Sequence, residues 1–211
     1  MTSLACVPDP SGNSSSHALA AALARCGDEC TRELVEQLEA ADATLVAHGA
    51  GVAQLAVALG RRLGIAGERL VTLCRAALLH DIGKRYVPGE VLGKPGPLLT
   101  HERQLVEAHP AVGATMLVQA GLLSESVIVR NHHERWDGTG YPDRLHGDAI
   151  PLESRLILIA DTFDAMTSDR AYRAAMPPAV ALAEIERSGG SQLDPSGAAL
   201  VRPVVEVTAA A

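Results

Sequence analysis

Histidine and aspartate side chains stand at the ends of several apolar segments of this 211-residue sequence. His80 and Asp81 close the apolar run in LLHDIGK, and a histidine pair lies near the start of NHHERWDGTGYP. Asp161 directly follows the apolar run LILIA, so its carboxylate needs a partner in the interior. The complete set of such residues is His48, His80, Asp81, His109, His132, His133 and Asp161.

Bound metal ions are the strongest explanation for so many titratable groups in apolar surroundings. A single buried histidine is most simply a hydrogen-bonded core residue, but seven such groups need stronger compensation. Five imidazoles and two carboxylates, with no thiolate among them, suit Zn, Fe or Mn rather than Mg or Ca. Because seven ligands exceed one tetrahedral site, we predict two divalent ions. Such a pair is the usual clamp for phosphate-ester hydrolysis, and an aspartate such as Asp81 could bridge it.

The elements that must position these residues are predicted to be helices. The chain is 47% hydrophobic but only 2% aromatic, and its abundant alanine and leucine favour helix. Apolar residues recur at helical spacing over residues 43–63, and His48 lies on the same buried face. The segment ESRLILIADTFDAM could begin as a buried strand, but its continuation and the lack of other strand-like runs favour helix. We therefore predict an all-α fold.

The remaining organisation follows from composition and spacing. Residues 1–16 are rich in Ser, Pro and Gly and are predicted to be disordered. Residues 17–41 form a helical extension, broken near Gly27, that pads the main domain or mediates dimerisation; packing is the commoner role. The main domain spans residues 42–200, and residues 201–211 form a tail. Further predicted helices cover residues 67–80, 101–108, 110–120, 124–134 and 178–188 and a short segment after GGSQLDP, and residues 85–99 form a Pro/Gly loop of lid-like length.

Charge, cysteines and hydropathy narrow the class of protein. A net charge of −7 argues against binding of a nucleic acid polymer. Cys26 and Cys30 lie four residues apart with no second close pair, so the cysteines are interpreted as core residues in a reducing compartment. The N-terminal segment lacks the basic start and apolar stretch of a signal peptide, and no apolar run approaches the ~20 residues that span a bilayer. We expect a cytoplasmic protein with no membrane association.

Three separated motifs in order give the sequence a specific family resemblance. HDIGK, HHERWDGTGYP and DTFDAMTSDRAYR resemble the HD-GYP family, a branch of the HD superfamily of metal-dependent phosphohydrolases. The resemblance covers roughly residues 42–200 and implies an HD-domain-like helical bundle. It also implies a phosphodiesterase that opens cyclic di-GMP through a metal-bridged hydroxide, which gives linear pGpG and sometimes GMP.

The resemblance assigns roles to individual residues. His80, Asp81 and Asp161 match the central metal ligands of the family, and iron or manganese would be the expected ions. The other matching ligands are His48, His109, His132 and His133.

Other matching residues would contact the substrate. Lys84 matches a lysine that contacts the scissile phosphate, and it lies four residues past His80, within reach of the same side. Arg170 and Arg173 match basic positions that grip phosphates, although Arg170 could equally form a surface ion pair with a nearby aspartate. Tyr141, in the GYP turn, would stack on a guanine or hold the loop in place.

Two departures from the family pattern carry expectations of their own. Some members place a glutamate one helical turn before the first-helix histidine, where it helps to hold a third metal; this sequence has Thr44, so we expect two metals and the linear dinucleotide as end product. Leu193 replaces an aromatic residue in the family's F-D-P motif, which would affect packing or a substrate wall.

Two alternatives to cyclic di-GMP hydrolysis are considered. The substrate could be another cyclic dinucleotide, such as cyclic GMP-AMP. The domain could also bind a cyclic dinucleotide or a protein without catalysis, although such domains lose metal ligands and this sequence keeps the set. Partners could include a second copy of the chain or a signalling protein bound through the N-terminal helices.

Overall fold

The computed structural model describes residues 13–169 and 174–209. Within these residues the chain forms α1 (Asn13–Cys26), α2 (Glu29–Ala41), α3 (Ala43–Arg62), α4 (Gly67–Leu79), α5 (Gly89–Leu92), α6 (Thr100–Glu107), α7 (His109–Gln119), α8 (Leu123–Arg130), α9 (Leu152–Thr167), α10 (Pro178–Ser188) and α11 (Pro195–Ala209). Two 3-10 helices cover Ile82–Tyr86 and Gly147–Ala149.

The predicted all-α class is confirmed, since the described ranges contain no β-strand and only one isolated bridge, between Gly189 and Leu193. The segment with the ambiguous run RLILIA is helical throughout, as predicted, and forms α9. Two helices in the second half of the chain differ in extent from the sequence prediction. Helix α8 ends at Arg130 rather than at residue 134, and α11 is a 15-residue helix rather than a short one, so most of the predicted tail is helical.

Helix α3 forms the centre of the bundle. It packs against α4 on one side and α9 on the other, and α1, α2 and α11 also contact it. Its apolar residues Val52, Ala56 and Leu59 are fully buried, as the helical spacing predicts. This central position places a histidine on α3 between α4 and α9, the two helices that end at or carry further predicted ligands.

Helix α3 is also long and apolar enough to cross a membrane by length and composition, which the sequence analysis did not expect. An 18-residue window of it has a mean hydropathy of 1.5, but 56% of that window is buried inside the protein. A core helix of a globular domain meets the same test. The burial of α3 among its neighbours accounts for its composition.

The N-terminal helices pack onto the bundle. The break predicted near Gly27 is present, because α1 ends at Cys26 and α2 begins at Glu29. Helix α1 begins at Asn13, four residues before the predicted start of the extension, and residues 1–12 of the predicted head lie outside the described residues. The carboxylate of Asp28 caps α2 by accepting the N–H of Thr31 at 2.8 Å, which satisfies one of its free N-terminal donors.

One partly buried arginine ties the extension to the bundle. The Arg75 guanidinium on α4 binds Asp28 at 2.7 Å and lies 3.2 Å from the carboxylate of Glu125 on α8. The extension therefore packs on the bundle, as one of its two predicted roles requires, and its role in dimerisation stays a prediction.

The C-terminal part closes the bundle beside α9. Helices α10 and α11 both contact α9, and α10 has the bounds predicted from the sequence. Leu193, which stands in place of the aromatic residue of the family motif, is fully buried in the core. Of the two roles considered for this position, core packing is the one that its burial supports.

Candidate metal centre

Six elements bring the seven predicted ligands to one place. The central helix α3 carries His48, and α9 carries Asp161. His80 and Asp81 lie at the junction between α4 and the following 3-10 helix, and the others stand at the start of α7 and just after α8. Each of these residues has a ring–ring or ion-pair contact with another member of the set, which is His48, His80, Asp81, His109, His132, His133 and Asp161.

Three of the imidazole rings are oriented by the backbone. Each Nδ1 lies within hydrogen-bonding distance of the carbonyl three residues earlier, at 2.8 Å for His80, 2.6 Å for His109 and 2.5 Å for His132. Because a carbonyl only accepts, these contacts assign the proton to Nδ1 and leave the Nε2 lone pair free. All three lone pairs are then available as metal ligands, which is the arrangement that outer hydrogen bonds commonly impose on ligating histidines.

The Nε2 atoms of these rings lack partners that fit their lone pairs. Nε2 of His109 lies 3.2 Å from Nε2 of His132, so two acceptor atoms face each other. Nε2 of His80 is buried and has no hydrogen-bond partner among the described residues. Facing lone pairs repel, and a buried polar atom without a partner is costly. A divalent cation removes both problems, so the donor set fits a bound metal.

The ligand atoms fall into two groups. Within each group the potential ligand atoms lie within 4.8 Å of one another: the first is Asp81, His109, His132 and His133, and the second is His48, His80 and Asp161. Two separate groups are what the predicted pair of ions would need, and the number of ions stays a prediction.

Asp81 faces both groups. Its Oδ1 lies 3.2 Å from Nε2 of His109 in the first group. Its Oδ2 lies 3.5 Å from Nε2 of His80 and 4.0 Å from Nε2 of His48 in the second group. Each carboxylate oxygen is thus directed to a different group, as a bridging ligand requires.

Burial sets the protonation of the histidines. Desolvation lowers the pKa of His80, lowers that of His132 well below its usual value and lowers that of His133 to about 3. These rings are therefore neutral at physiological pH, which is the form that binds a metal ion.

The two carboxylates are ionised in spite of their burial. Burial alone would raise the pKa of Asp81, but the ammonium charge of Lys84 beside it outweighs burial and holds the pKa well below its usual value. Burial also opposes ionisation of Asp161, and the hydrogen bond from His48 outweighs it and lowers the pKa. Two neighbouring anions beside the neutral rings of His80, His132 and His133 make a centre that attracts cations.

Lys84 lies at the edge of this centre, as the sequence predicted. Its Nζ lies 2.6 Å from Oδ2 of Asp81, and its side chain is 23% exposed. The ammonium group is thus held beside the ligands but is still open to solvent. From this position it can act on an anionic group that binds at the ligand atoms.

Tyr141 packs against His133, the second histidine of the pair. Its ring centroid is 4.9 Å from that of His133, with an angle of 32° between the ring planes. Burial raises the pKa of Tyr141, so the phenol stays protonated. The ring lies over a ligand, which agrees with a wall of the site, and the loop role considered from sequence is compatible with the same position.

A buried glutamate that sequence reasoning did not single out fixes the loop that carries Tyr141. Glu134 is only 1% exposed, and its carboxylate accepts the N–H groups of Asp143 at 2.6 Å and Leu145 at 3.1 Å. At Gly140 a Cβ would lie 2.4 Å from the backbone nitrogen of Arg135, so only glycine fits where the loop folds back. Its place directly after the histidine pair is the one sequence signal that could have identified Glu134.

A second carboxylate missed from sequence contacts a ligand directly. Asp164 Oδ2 lies 2.6 Å from Nδ1 of His48, whose Nε2 lies 3.0 Å from Oδ1 of Asp161. Burial lowers the pKa of His48, but the hydrogen bonds with the two aspartates outweigh it and raise the pKa to about 10. The spacing of Asp161 and Asp164, three residues apart on one helix, could have indicated a shared face.

Three further sequence predictions concern the surroundings of the site. Arg170 and Arg173 lie outside the described residues. Thr44 is exposed, and its hydroxyl donates to Asp42 at 2.6 Å, so this position provides no carboxylate beside His48. Residues 85–99 contain the short helix α5, and Lys94 joins the segment to Glu102 on α6 at 2.6 Å.

Comparisons with known proteins agree with this centre. The sequence profile of the HD domain family matches residues 29–197. The cyclic di-GMP phosphodiesterase response regulator RpfG of Xanthomonas campestris pv. campestris is 37% identical over 174 residues, which are 79% of this chain and 45% of that protein. The 3′3′-cGAMP-specific phosphodiesterase 3 of Vibrio cholerae is 42% identical over 149 residues, 70% of this chain and 32% of that protein.

A solved structure supports the fold. Bd1817, an HDG"Y"P protein from Bdellovibrio bacteriovorus, matches with a TM-score of 0.64 at 21% identity and covers 92% of this chain and 63% of that chain. The chain spans less than half the length of the two curated relatives, 45% and 32%. The predicted resemblance to HD-GYP proteins is thereby confirmed.

Proposed function

Because the chain belongs to the HD domain family, we propose that it is a metal-dependent phosphodiesterase that hydrolyses cyclic di-GMP to linear pGpG. One observation carries the proposal: Asp81 directs its two carboxylate oxygens to two separate groups of metal-ligating side chains. A pair of ions bridged in this way is suited to hydrolysis of a phosphodiester. The similarity to a cyclic di-GMP phosphodiesterase supports the choice of substrate.

The two ligand groups would hold one divalent ion each, and we propose iron or manganese. Imidazole and carboxylate ligands without thiolate suit both metals. When bound, such ions polarise phosphoryl oxygens and lower the pKa of water to give a hydroxide nucleophile. The absence of a carboxylate at Thr44 supports two ions rather than three and, with them, the linear dinucleotide as end product.

The chain's own residues bind and orient the substrate. Lys84, beside Asp81 and partly open to solvent, would donate to the scissile phosphate and stabilise its charge in the transition state. Tyr141 would form one wall over His133 against which a base can stack. Arg170 and Arg173 are proposed to bind the phosphates of the dianion, because guanidinium groups suit bidentate contact and the chain is otherwise acidic.

A specific observation favours a second substrate, cyclic GMP-AMP. A relative that is 42% identical carries the name of a 3′3′-cGAMP-specific phosphodiesterase. Both dinucleotides present two phosphodiester groups to the same metals, and they differ only in one base. The alternative of binding without catalysis is disfavoured because all seven predicted ligands converge in one centre.

Product analysis tests the proposal. The protein is prepared without oxygen, loaded with Fe(II) or Mn(II), and incubated with cyclic di-GMP and cyclic GMP-AMP in competition. We expect linear pGpG to form first, with GMP slow or absent. Faster loss of cyclic GMP-AMP would favour the second substrate, and binding of either dinucleotide without turnover by the metal-loaded protein would contradict the proposal.

We also propose a cytoplasmic location and no membrane association. The described cysteines Cys26, Cys30 and Cys74 are free thiols, which supports a reducing compartment. A second copy of the chain or a signalling protein could bind the exposed face of α2, since its other face is packed on the bundle. Sedimentation of the purified protein would test self-association.

A further inference from the structure

His48 is oriented by a side-chain carboxylate, whereas the other oriented ligands are held by backbone carbonyls. His80, His109 and His132 point Nδ1 at a backbone carbonyl. His48 instead points Nδ1 at the carboxylate of Asp164, at 2.6 Å. A carboxylate fixes the ring more firmly than a neutral carbonyl and makes the opposite nitrogen a better donor to a metal.

The contact between His48 and Asp164 joins two helices that are far apart in sequence. His48 lies on α3 and Asp164 on α9, 116 residues later. Gly51, one turn along α3, provides the space for this approach, because a Cβ there would lie 2.6 Å from Oδ1 of Asp164 and the carboxylate would have to shift. Ser168 places its hydroxyl 3.4 Å from Oδ2 of the same carboxylate. The carboxylate of Asp164 thus packs against Gly51 between the two helices.

Asp164 acts on only one of the two ligand groups. Its ligand partner His48 belongs with His80 and Asp161, whereas the group of His109, His132 and His133 contains none of its contacts. In the group of His48, His80 and Asp161, a backbone carbonyl orients His80 and the carboxylate of Asp164 orients His48. Removal of its carboxylate should therefore affect the two ions unequally.

We propose that Asp164 is a positioning residue that orients His48 and thereby secures the ion of the His48, His80 and Asp161 group, with Gly51 providing the space that it needs. This inference rests on the proposed metal-dependent function. It assigns no contact between Asp164 and the substrate. The alternative is that Asp164 merely ties α3 to α9, in which case its loss would weaken the whole centre.

The test counts ions in matched variants. The wild-type chain is compared with Asp164→Ala, Asp164→Asn and Gly51→Ala, each saturated with Mn(II), dialysed and analysed for manganese per chain. Asp148→Asn is the control, because it removes the same charge from a side chain that is 89% exposed. Binding isotherms give the affinity of each ion, and electron paramagnetic resonance separates a coupled Mn(II) pair from a single Mn(II).

The expected result is a selective loss. Asp164→Ala should weaken one of the two ions by about 10- to 100-fold and leave a single-Mn(II) spectrum, because outer-shell partners of metal ligands typically contribute that much. Asp164→Asn should lose less, since its amide oxygen can still accept the Nδ1 proton. Gly51→Ala should resemble Asp164→Ala although the aspartate is intact, and alanine favours the helix, so folding is maintained.

Three other results would overturn the inference. If Asp164→Ala and Gly51→Ala both held two ions with wild-type affinity, Asp164 would have no positioning role. If both variants lost the two ions equally, the residue would only join α3 to α9. If the wild-type chain bound no ion, the proposed function would fail as well, and this outcome is distinguished by the wild-type measurement alone.

Discussion

Asp81 is the residue on which the centre depends most, because its two carboxylate oxygens face different ligand groups. We expect Asp81→Asn and Asp81→Ala to abolish turnover through loss of metal. The asparagine keeps the shape of the side chain but removes the charge that attracts a cation. Manganese content and product formation are measured together, and circular dichroism checks the fold.

A control separates this effect from a change in net charge. Asp148→Asn removes an equivalent charge from an exposed ion pair with Arg155 and should keep full activity. An Asp81→Asn variant that retained both ions and full turnover would show that the assignment of Asp81 is wrong.

Lys84 permits a prediction about catalysis rather than metal binding. Replacing it with methionine keeps most of the apolar stem and removes the ammonium group with its charge and its donors. We expect kcat to fall by about a hundredfold, as for loss of one donor to a developing oxyanion, with the ion count unchanged. Lys94→Met is the matched control, because Lys94 pairs with Glu102 on α6. A fall in metal content equal to the fall in kcat would instead make Lys84 a support for Asp81.

At the scale of single residues, the sequence reveals ligands better than the groups that orient them. The seven ligands are histidines and aspartates at apolar positions, so each carries a local signal. The spacing of Asp164 from Asp161 indicates a shared helix face, but nothing local indicates the contact of Asp164 with His48, because it joins residues 116 positions apart. Only packing of α3 against α9 creates it.

Among the elements, the loop between α8 and α9 has the most consequence for the site. It follows the ligand pair and carries Tyr141, yet it contains only a three-residue 3-10 helix of its own. The carboxylate of Glu134 takes the place of regular hydrogen bonding by accepting two backbone N–H groups inside the loop. Both oxygens of this buried carboxylate are used as acceptors, so the loop requires its shape as well as its charge.

We therefore expect Glu134→Gln to loosen this loop. A glutamine has one oxygen, and its NH₂ group would face an N–H donor, so a buried N–H group would lose its acceptor at a cost of about 1–3 kcal/mol. Urea unfolding measures the loss, and limited proteolysis should cut within residues 134–147. Glu186→Gln is the control, because it alters an exposed pair with Arg202 and should change neither result. Unchanged unfolding of Glu134→Gln would contradict this account.

Helix positions were predictable where apolar periodicity was strong and less so where side chains end a helix. The interior of α3 and the whole of α10 follow the sequence pattern. Helix α8 ends earlier than its pattern, and there the side-chain amide of Asn131 donates to the carbonyl of Val127 at 2.8 Å, four residues back. This side chain donates to a carbonyl at the end of α8, where the helix stops. The two histidines that follow then face the other predicted ligands. Apolar periodicity alone does not show that a side-chain hydrogen bond ends the helix.

The residues that form the centre come from several helices of the bundle and their ends. The ligands come from α3, the end of α4, the start of α7, the end of α8 and α9, so ion binding links elements across most of the bundle. In a chain of net charge −7, bringing anionic carboxylates into this interior is unfavourable without a cation. Metal binding should therefore stabilise the fold and not only the site.

This coupling predicts a dependence of the melting temperature on metal. An ion at 100 times its Kd adds about 2.7 kcal/mol to the free energy of unfolding. For a chain of this size, 1 kcal/mol corresponds to a shift of about 2–4 °C, so a single such ion should raise the Tm by about 5–11 °C. Thermal unfolding is followed in a chelator and at increasing Mn(II). Asp81→Asn should show little shift, because its centre lacks the bridging charge; equal melting temperatures of the wild-type chain in chelator and in saturating Mn(II) would refute the link between the centre and the fold.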